Sequence, residues 1–216
     1  MKHFFIRILN MVIGLFLYSL GIVLTIKANI GYAPWDVFHV GLTYKVGLSL
    51  GIVSIIVGII LVLIVTLLKE KFGLGTISNI VLIGLFLDLF FYIDIIPTSE
   101  NYFIGIALLI LGLFIIALGS YFYIKSGFGV GPRDNLMVVM AKRTKLPVGL
   151  CRGLIELLVT VAGWLLGGMV GLGTAIFVIA IGFCIQIVFR LFRFDVTAVK
   201  HETLADTWLN LFPPKR

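Results

Sequence analysis

Titratable side chains inside or beside apolar segments are the residues with which this chain could do chemistry. Charges at such positions are costly and normally face the protein interior, where they bind ions or polar solutes or relay protons. The candidates are Asp36, His39, Asp88, Arg133, Asp134, Arg152 and Glu156.

Three of these residues, Asp36, Arg133 and Asp134, belong to two similar segments, which we interpret as a structural motif. The segments are Gly31-Tyr32-Ala33-Pro34-Trp35-Asp36 and Gly129-Val130-Gly131-Pro132-Arg133-Asp134. Glycine permits a sharp turn, proline suits the first helical position, and aspartate complements the exposed amides of a helix start. The pattern predicts short helices over Pro34–Val46 and Pro132–Arg143. They either dip into the membrane, as in transporters and channels, or lie flat at its surface as connectors.

The ligand charge at these helix starts is left open by the residue types. A helix start attracts anions, yet Asp36 and Asp134 already neutralise part of that field. Arg133 takes the place of Trp35 in the second segment and restores positive charge there. His39 follows Asp36 by three residues on one helix face, where it either gates or relays protons, or is structural.

Arg152 and Glu156 are spaced i, i+4 within an apolar segment that begins at Pro147. At 1.5 Å per residue, Glu156 is expected roughly 14 Å deep, near the membrane midplane. The two side chains either neutralise each other, or Glu156 binds a coupling proton. Asp88 is expected at a similar depth without a partner on its own helix, which makes it the stronger candidate for a proton site.

The elements that position these residues are membrane-spanning helices. Of the 216 residues, 61% are hydrophobic and 12% charged, too little polar surface for a water-soluble globule. Apolar runs of about 20 residues can cross the hydrocarbon layer. They predict an all-α membrane protein with six spans: Phe4–Ile26, Leu48–Leu68, Thr76–Ile95, Tyr102–Ile124, Pro147–Met169 and Thr174–Leu191. Ser49, Thr76, Pro147 and Thr174 are expected at the helix starts.

The chain resembles itself at a shift of 98 residues. Gly73-Leu74-Gly75-Thr76 recurs as Gly171-Leu172-Gly173-Thr174, and the two proline segments align without a gap. Because each copy crosses three times, the second must be inverted. We predict a first three-helix repeat over 1–98, a second, inverted one over 99–194, and a cytoplasmic amphipathic tail over 195–216.

Basic residues predict the orientation. With the N-terminus inside, nearly all Lys and Arg outside the spans fall on the cytoplasmic side, and only Lys27 and Lys45 fall outside. We therefore expect a multi-pass protein of the cytoplasmic membrane with both termini on the cytoplasmic side. The tail, which contains Leu204, Trp208, Leu211 and Phe212, either lies on the membrane surface or packs against the bundle.

Enzyme activity is not predicted by any motif. The sequence has no nucleotide-binding loop, no metal-ligand spacing and no serine motif of a membrane hydrolase. We therefore expect no cofactor, no metal and no nucleic-acid partner. The expected partners are the lipid bilayer and a small-molecule substrate, and a homodimer is compatible with the sequence.

The paired proline segments, the repeat and the chain length resemble the YczE/YyaS/YitT family of small bacterial membrane proteins, over about Phe4 to Arg193. Members related to YczE are associated with production of lipopeptide antibiotics, so the resemblance implies transport or membrane support. It assigns no site residues.

Three functions are compatible with these observations. The first is a secondary transporter or exporter of a small molecule, ion-coupled, with a midplane site between the repeats. The second is a passive channel of inverted-repeat type, by analogy with aquaporins. The third is an accessory membrane protein of a biosynthetic or export complex.

Overall fold

The computed structural model describes residues 2–211, with side chains from residue 4 to residue 210, and is all-α over that range. Six of its helices are long and apolar enough to cross a membrane, which confirms the six predicted spans. These are α1, α3, α4, α5, α7 and α8; α2 and α6 are the two predicted short helices. The bounds are α1 Lys2–Lys27, α2 Pro34–Val46, α3 Leu50–Leu67, α4 Leu74–Ile93, α5 Tyr102–Ser126, α6 Pro132–Thr144, α7 Val148–Leu165, α8 Leu172–Leu191 and α9 Leu204–Leu211.

Local capping explains where the spans begin. The Ser49 hydroxyl accepts a hydrogen bond from the Ile52 amide and caps α3, as predicted. Thr76 and Thr174 were predicted to open α4 and α8, but both helices begin two residues earlier. Each threonine is instead the third helical residue, and its hydroxyl accepts from the amide that precedes the helix, at 3.3 and 3.2 Å.

Helices α1 and α5 cross antiparallel at the centre of the bundle, backbone against backbone. A Cβ atom on Gly14 would lie 2.8 Å from the carbonyl oxygen of Gly119, and one on Gly21 would lie 2.8 Å from that of Gly112. Small residues allow this approach, and dispersion contacts then hold the helices together. The two glycine pairs are equivalent, because the shift of 98 residues relates Gly14 to Gly112 and Gly21 to Gly119.

Backbone hydrogen bonds between the halves recur with the same shift. The Gly75 amide donates to the Phe128 carbonyl at 2.7 Å, and the Gly173 amide donates to the Ile30 carbonyl at 2.7 Å. The helix packing recurs too, since α2 packs on α7 and α6 packs on α3. These paired contacts are what a two-fold relation between the halves requires.

The bundle has two ends, which we name by their contacts. The terminal face carries the start of α1, the α3–α4 connection and the tail, joined by hydrogen bonds such as that from the Leu204 amide to the Phe72 carbonyl. The distal face carries the end of α1 and the end of α4, where Lys27 forms an ion pair with Asp94 at 2.6 Å.

The two halves differ most in the packing between their last two spans. Helices α3 and α4 pack closely: a Cβ on Gly84 would lie 2.7 Å from the Gly51 carbonyl oxygen. Helices α7 and α8 barely touch. At Gly149 and Gly182, the equivalents of Gly51 and Gly84, a Cβ would meet no atom within 4 Å. A gap therefore separates α7 from α8 where the first half is closed.

The tail is tied to the terminal face. The Arg7 guanidinium pairs with the Glu202 carboxylate at 2.6 Å, donates to the Ser126 carbonyl at 2.7 Å and lies 4.3 Å from the Phe128 ring centroid. Helix α9 leaves Trp208 exposed. Residues 202–204 thus pack against the bundle while α9 shows an apolar side chain outward; Phe212 lies outside the described residues.

Candidate functional site

One cavity, of about 370 Å³, lies among the helices of both halves and contains most of the predicted site residues. Six of the seven predicted site residues line it together, although they come from three helices. They are Asp36 and His39 from α2, Arg133 and Asp134 from α6, and Arg152 and Glu156 from α7.

The first turns of α2 and α6 are aimed into this cavity by the two glycine turns. Gly31 and Gly129 have φ angles of +118° and +116°, a backbone conformation that side chains disfavour. At Gly31 a Cβ would also lie 2.7 Å from the Gly171 amide nitrogen. Pro34, Trp35, Gly131 and Pro132 consequently stand on the cavity wall beside residues from the middle of the spans. The short helices therefore begin inside the bundle and do not lie flat outside it.

The carboxylates of Asp36 and Asp134 are without partners. In the part of the chain that the structure describes, neither receives a hydrogen bond or an ion pair. Asp36 is only 4% exposed, whereas Asp134 is open to the cavity. Asn79 stands near Asp134, since a Cβ on Gly131 would lie 3.4 Å from the Asp134 carboxylate and 3.7 Å from the Asn79 amide nitrogen.

Arg133 contacts the first repeat's segment across the cavity. Its guanidinium lies 5.0 Å from the Trp35 ring centroid, a cation–π contact, and 3.4 Å from His39 Nδ1. A guanidinium only donates, so Nδ1 accepts, and a neutral His39 ring carries its proton on Nε2. Arg133 thus contacts Trp35, the residue that occupies the equivalent position in the first segment.

Three buried polar atoms on the cavity wall have no hydrogen-bond partner among the described residues. They are His39 Nε2, Trp35 Nε1 and the Tyr123 hydroxyl. Buried polar groups are nearly always satisfied, so each such exception calls for a physical explanation. A ligand or water in the cavity would supply the missing partners.

Arg152 and Glu156 form the predicted i, i+4 ion pair, at 2.9 Å. Both also line the cavity, so self-neutralisation and a place on the wall occur together. The pair adds no net charge to the site when both groups are ionised.

Asp88 lies apart from the other six residues. Its carboxylate accepts from the Ser49 hydroxyl at 2.6 Å and from the Gly51 amide at 2.7 Å, at the distal end of α3. The expectation that Asp88 lies as deep as Glu156 was therefore wrong, because Asp88 lies level with the start of α3, near the end of the span. It stays a predicted proton site, now at the contact that closes α3 on α4.

Several wall residues were missed by sequence reasoning. Tyr18 and Tyr123 face the cavity from α1 and α5, and His201 reaches its terminal end from the tail. The repeat offered no signal for the tyrosines, because the 98-residue shift pairs Tyr18 with Ile116 and Tyr123 with Thr25. Their positions depend on which faces of α1 and α5 turn toward the cavity.

Comparisons with known proteins identify relatives but no activity. A family of unknown function, DUF6198, matches residues 5–190. The chain is 35% identical over 175 residues to the uncharacterized membrane protein YczE of Bacillus subtilis, covering 80% of each chain. It is 33% identical to an uncharacterized protein of Haemophilus influenzae, covering 81% of each, and 30% identical to the uncharacterized protein YyaS of B. subtilis, covering 75% of this chain and 82% of YyaS. No solved structure matches.

Proposed function

The chain belongs to DUF6198, a family of unknown function, and from its geometry we propose that it is a secondary transporter that moves a small molecule by alternating access. It is a multi-pass membrane protein. The observation that carries the proposal is the asymmetry around the central cavity: α3 and α4 are packed at the distal face, while α7 and α8 are apart toward the terminal face.

We infer that the gap between α7 and α8 opens into the cavity, because both helices line it without packing on each other. Arg152 and Glu156 of α7 and Phe177, Ile181 and Phe189 of α8 all line it, and His201 of the tail lies at its terminal end. Access from the terminal face and closure at the distal face describe one of the two states that alternating access requires.

The other state arises when the halves exchange arrangements, so that α7 and α8 become the packed pair and α3 and α4 the separated pair. In it, α7 closes on α8 with Gly149 against Gly182, as Gly51 now packs against Gly84. Helices α3 and α4 separate at the same time and open the cavity to the distal face. At both glycines an added Cβ would meet no atom within 4 Å, so neither position is packed against another helix in the present state. This exchange requires that the chain consists of two inverted repeats, 1–98 and 99–194, which the recurring contacts support.

The Lys/Arg distribution supports a cytoplasmic terminal face. The open state then faces the cytoplasm, with both termini on that side of the cytoplasmic membrane. A proton or sodium ion is the proposed coupling ion. Asp88 is the proposed proton site. Protonation would neutralise its carboxylate, weaken the charge-assisted hydrogen bond that it accepts from Ser49, and so loosen the contact between α3 and α4.

The direct test is solute flux in vesicles of the purified protein. A defined mixture of amino acids, amines, organic acids and sugars is presented under an imposed proton or sodium gradient, and accumulation is measured by mass spectrometry. We expect concentrative uptake of one chemical class. An Asp88→Asn variant that still accumulates solute like the unchanged protein would contradict the proton-site assignment.

A cross-link tests the moving contact. In a background with Cys151 and Cys184 replaced by serine, Gly149→Cys and Gly182→Cys together should form a disulfide only when α7 closes on α8. Oxidation should stop flux and reduction should restore it. Each single cysteine variant is the matched control. Flux that continues through the oxidised double variant would refute closure of this gap.

A passive channel is the second candidate, favoured by the two short helices that begin at one cavity. It predicts uptake that equilibrates and ignores every gradient. Inactivity that is relieved only by a co-purified partner would instead favour the accessory function.

A further inference from the structure

We propose that the ligand of the central cavity is a small protonated amine that also carries a hydrogen-bond acceptor. The inference rests on the proposed function for its assumption that the transported molecule occupies this cavity. It deepens that function by stating the substrate class, which the residue types alone left open.

Charge is the first argument. With its groups ionised, the cavity holds three carboxylates and two guanidinium groups. Arg152 and Glu156 neutralise each other at 2.9 Å. Arg133 remains against Asp36 and Asp134, so one negative charge is unbalanced. Asp36 and Asp134 also lie in the first turns of α2 and α6, where their negative charge offsets the positive field of both helix starts. A cation is therefore favoured over an anion.

Unmet hydrogen bonds are the second, independent argument. The Asp36 and Asp134 carboxylates need donors, and a primary ammonium group supplies three. His39 Nε2–H and Trp35 Nε1–H need an acceptor, and these side chains are only 1% and 6% exposed. The Tyr123 hydroxyl, on a side chain 5% exposed, can meet either kind of group. A ligand with one ammonium nitrogen and one acceptor oxygen satisfies both sets.

An organic cation fits these walls better than a metal ion. Among the side chains described, from residue 4 to residue 210, no three His, Cys, Asp or Glu residues come together as a group that could hold a metal. The rest of the wall contains aromatic and aliphatic side chains, including Tyr18, Phe177 and Ile181. These accept the carbon skeleton of a ligand, as apolar pocket walls generally do.

Three probes of one skeleton and different charge test the inference. They are tyramine, a protonated amine; tyrosol, its neutral alcohol analogue; and 4-hydroxyphenylacetate, the corresponding anion. Binding to the purified full chain in detergent is measured by isothermal titration calorimetry near pH 7.5. We expect tyramine to bind at least about tenfold more tightly than tyrosol and the anion to bind most weakly.

Asparagine variants locate the charge effect. Asp36→Asn and Asp134→Asn should each weaken tyramine binding about tenfold while changing tyrosol binding little. Asp94→Asn, which removes an exposed carboxylate at the distal face, is the matched control and should leave both affinities unchanged. The order of the three probes on the unchanged protein needs no variant, so the inference is testable even if an asparagine variant does not fold.

The proposal is overturned if the anion binds as tightly as tyramine, if both asparagine variants bind tyramine normally, or if neither tyramine nor the smaller amine ethanolamine binds. Equilibrium binding in detergent requires no movement of α7. Normal amine selectivity without flux would therefore refute transport alone, and flux of a different chemical class would refute the amine alone.

Discussion

Close packing of α1 on α5 makes Gly14→Ala a sharp test of the fold. The added Cβ would lie 2.5 Å from the Tyr123 backbone nitrogen and 2.8 Å from the Gly119 carbonyl oxygen, whereas ordinary contacts begin at 3.4 Å. Both obstructing atoms belong to the backbone of α5, so no flexible side chain can yield. The helices themselves must separate along their length.

The expected cost follows from comparison with Gly182→Ala. Alanine stabilises a helix relative to glycine by about 1 kcal/mol, and this gain is common to both variants. At Gly182 the added methyl meets nothing within 4 Å. The difference between the variants therefore isolates overpacking, which costs about 1–3 kcal/mol and here should fall toward the upper end.

Thermal unfolding in detergent, followed by loss of the monodisperse peak in size-exclusion chromatography, measures the difference. At about 2–4 °C per kcal/mol for a chain of this length, Gly14→Ala should melt about 2–12 °C below Gly182→Ala. Equal melting temperatures would refute the proposed backbone contact between α1 and α5. Gly112→Ala, the equivalent substitution in the second half, should behave like Gly14→Ala.

Three further predictions concern the distal contact and the tail. Asp88→Ala should lower stability by about 1–3 kcal/mol because two donors lose their acceptor, while its equivalent Gln186→Ala should have little effect; equal melting temperatures would contradict this. Arg7→Gln should speed tryptic release of the tail several-fold, measured by mass spectrometry in inside-out vesicles. Lys142→Gln removes only an exposed ion pair and should not change this rate. Hydrogen bonds from Thr203 lower the pKa of Asp206 below the usual value of about 3.9. The stabilisation of α9 is therefore present above that pH and lost as the pH falls through the lowered pKa; circular dichroism of the unchanged chain and of Asp206→Asn should show the acid-dependent loss only in the former.

Local chemistry made much of the fold predictable. Runs of apolar residues identify spans because each span must satisfy its own backbone hydrogen bonds in lipid. The bounds of α2 follow from Pro34 at its start and Gly47 after its end, where φ is +69°. Such signals act within a few residues along the chain. They can therefore be interpreted without knowing which helices are neighbours, and the helix bounds that they predict agree with the structure to within a few residues.

The candidate site was only partly predictable. Burial cost selected the charged residues, and six of them do meet in one cavity. Counting residues along α4 placed Asp88 too deep. The count along one span does not reveal that the start of α3 lies beside Asp88. Tyr18 and Tyr123 were missed because an aromatic residue in a span is ordinarily packing, and only the rotation of α1 and α5 turns these two toward the cavity.

What the sequence by itself determined is the set of helices, their short proline-led interruptions and the 98-residue similarity between the halves. Only the tertiary structure decided that Asp36 and Asp134 share a cavity without partners, and that α3 closes on α4 while α7 stands off α8. The reason is physical. Helix formation depends on neighbours in the chain, whereas both of these features depend on atoms of distant spans approaching within a few ångströms, and similar sequences in the two halves take up different contacts.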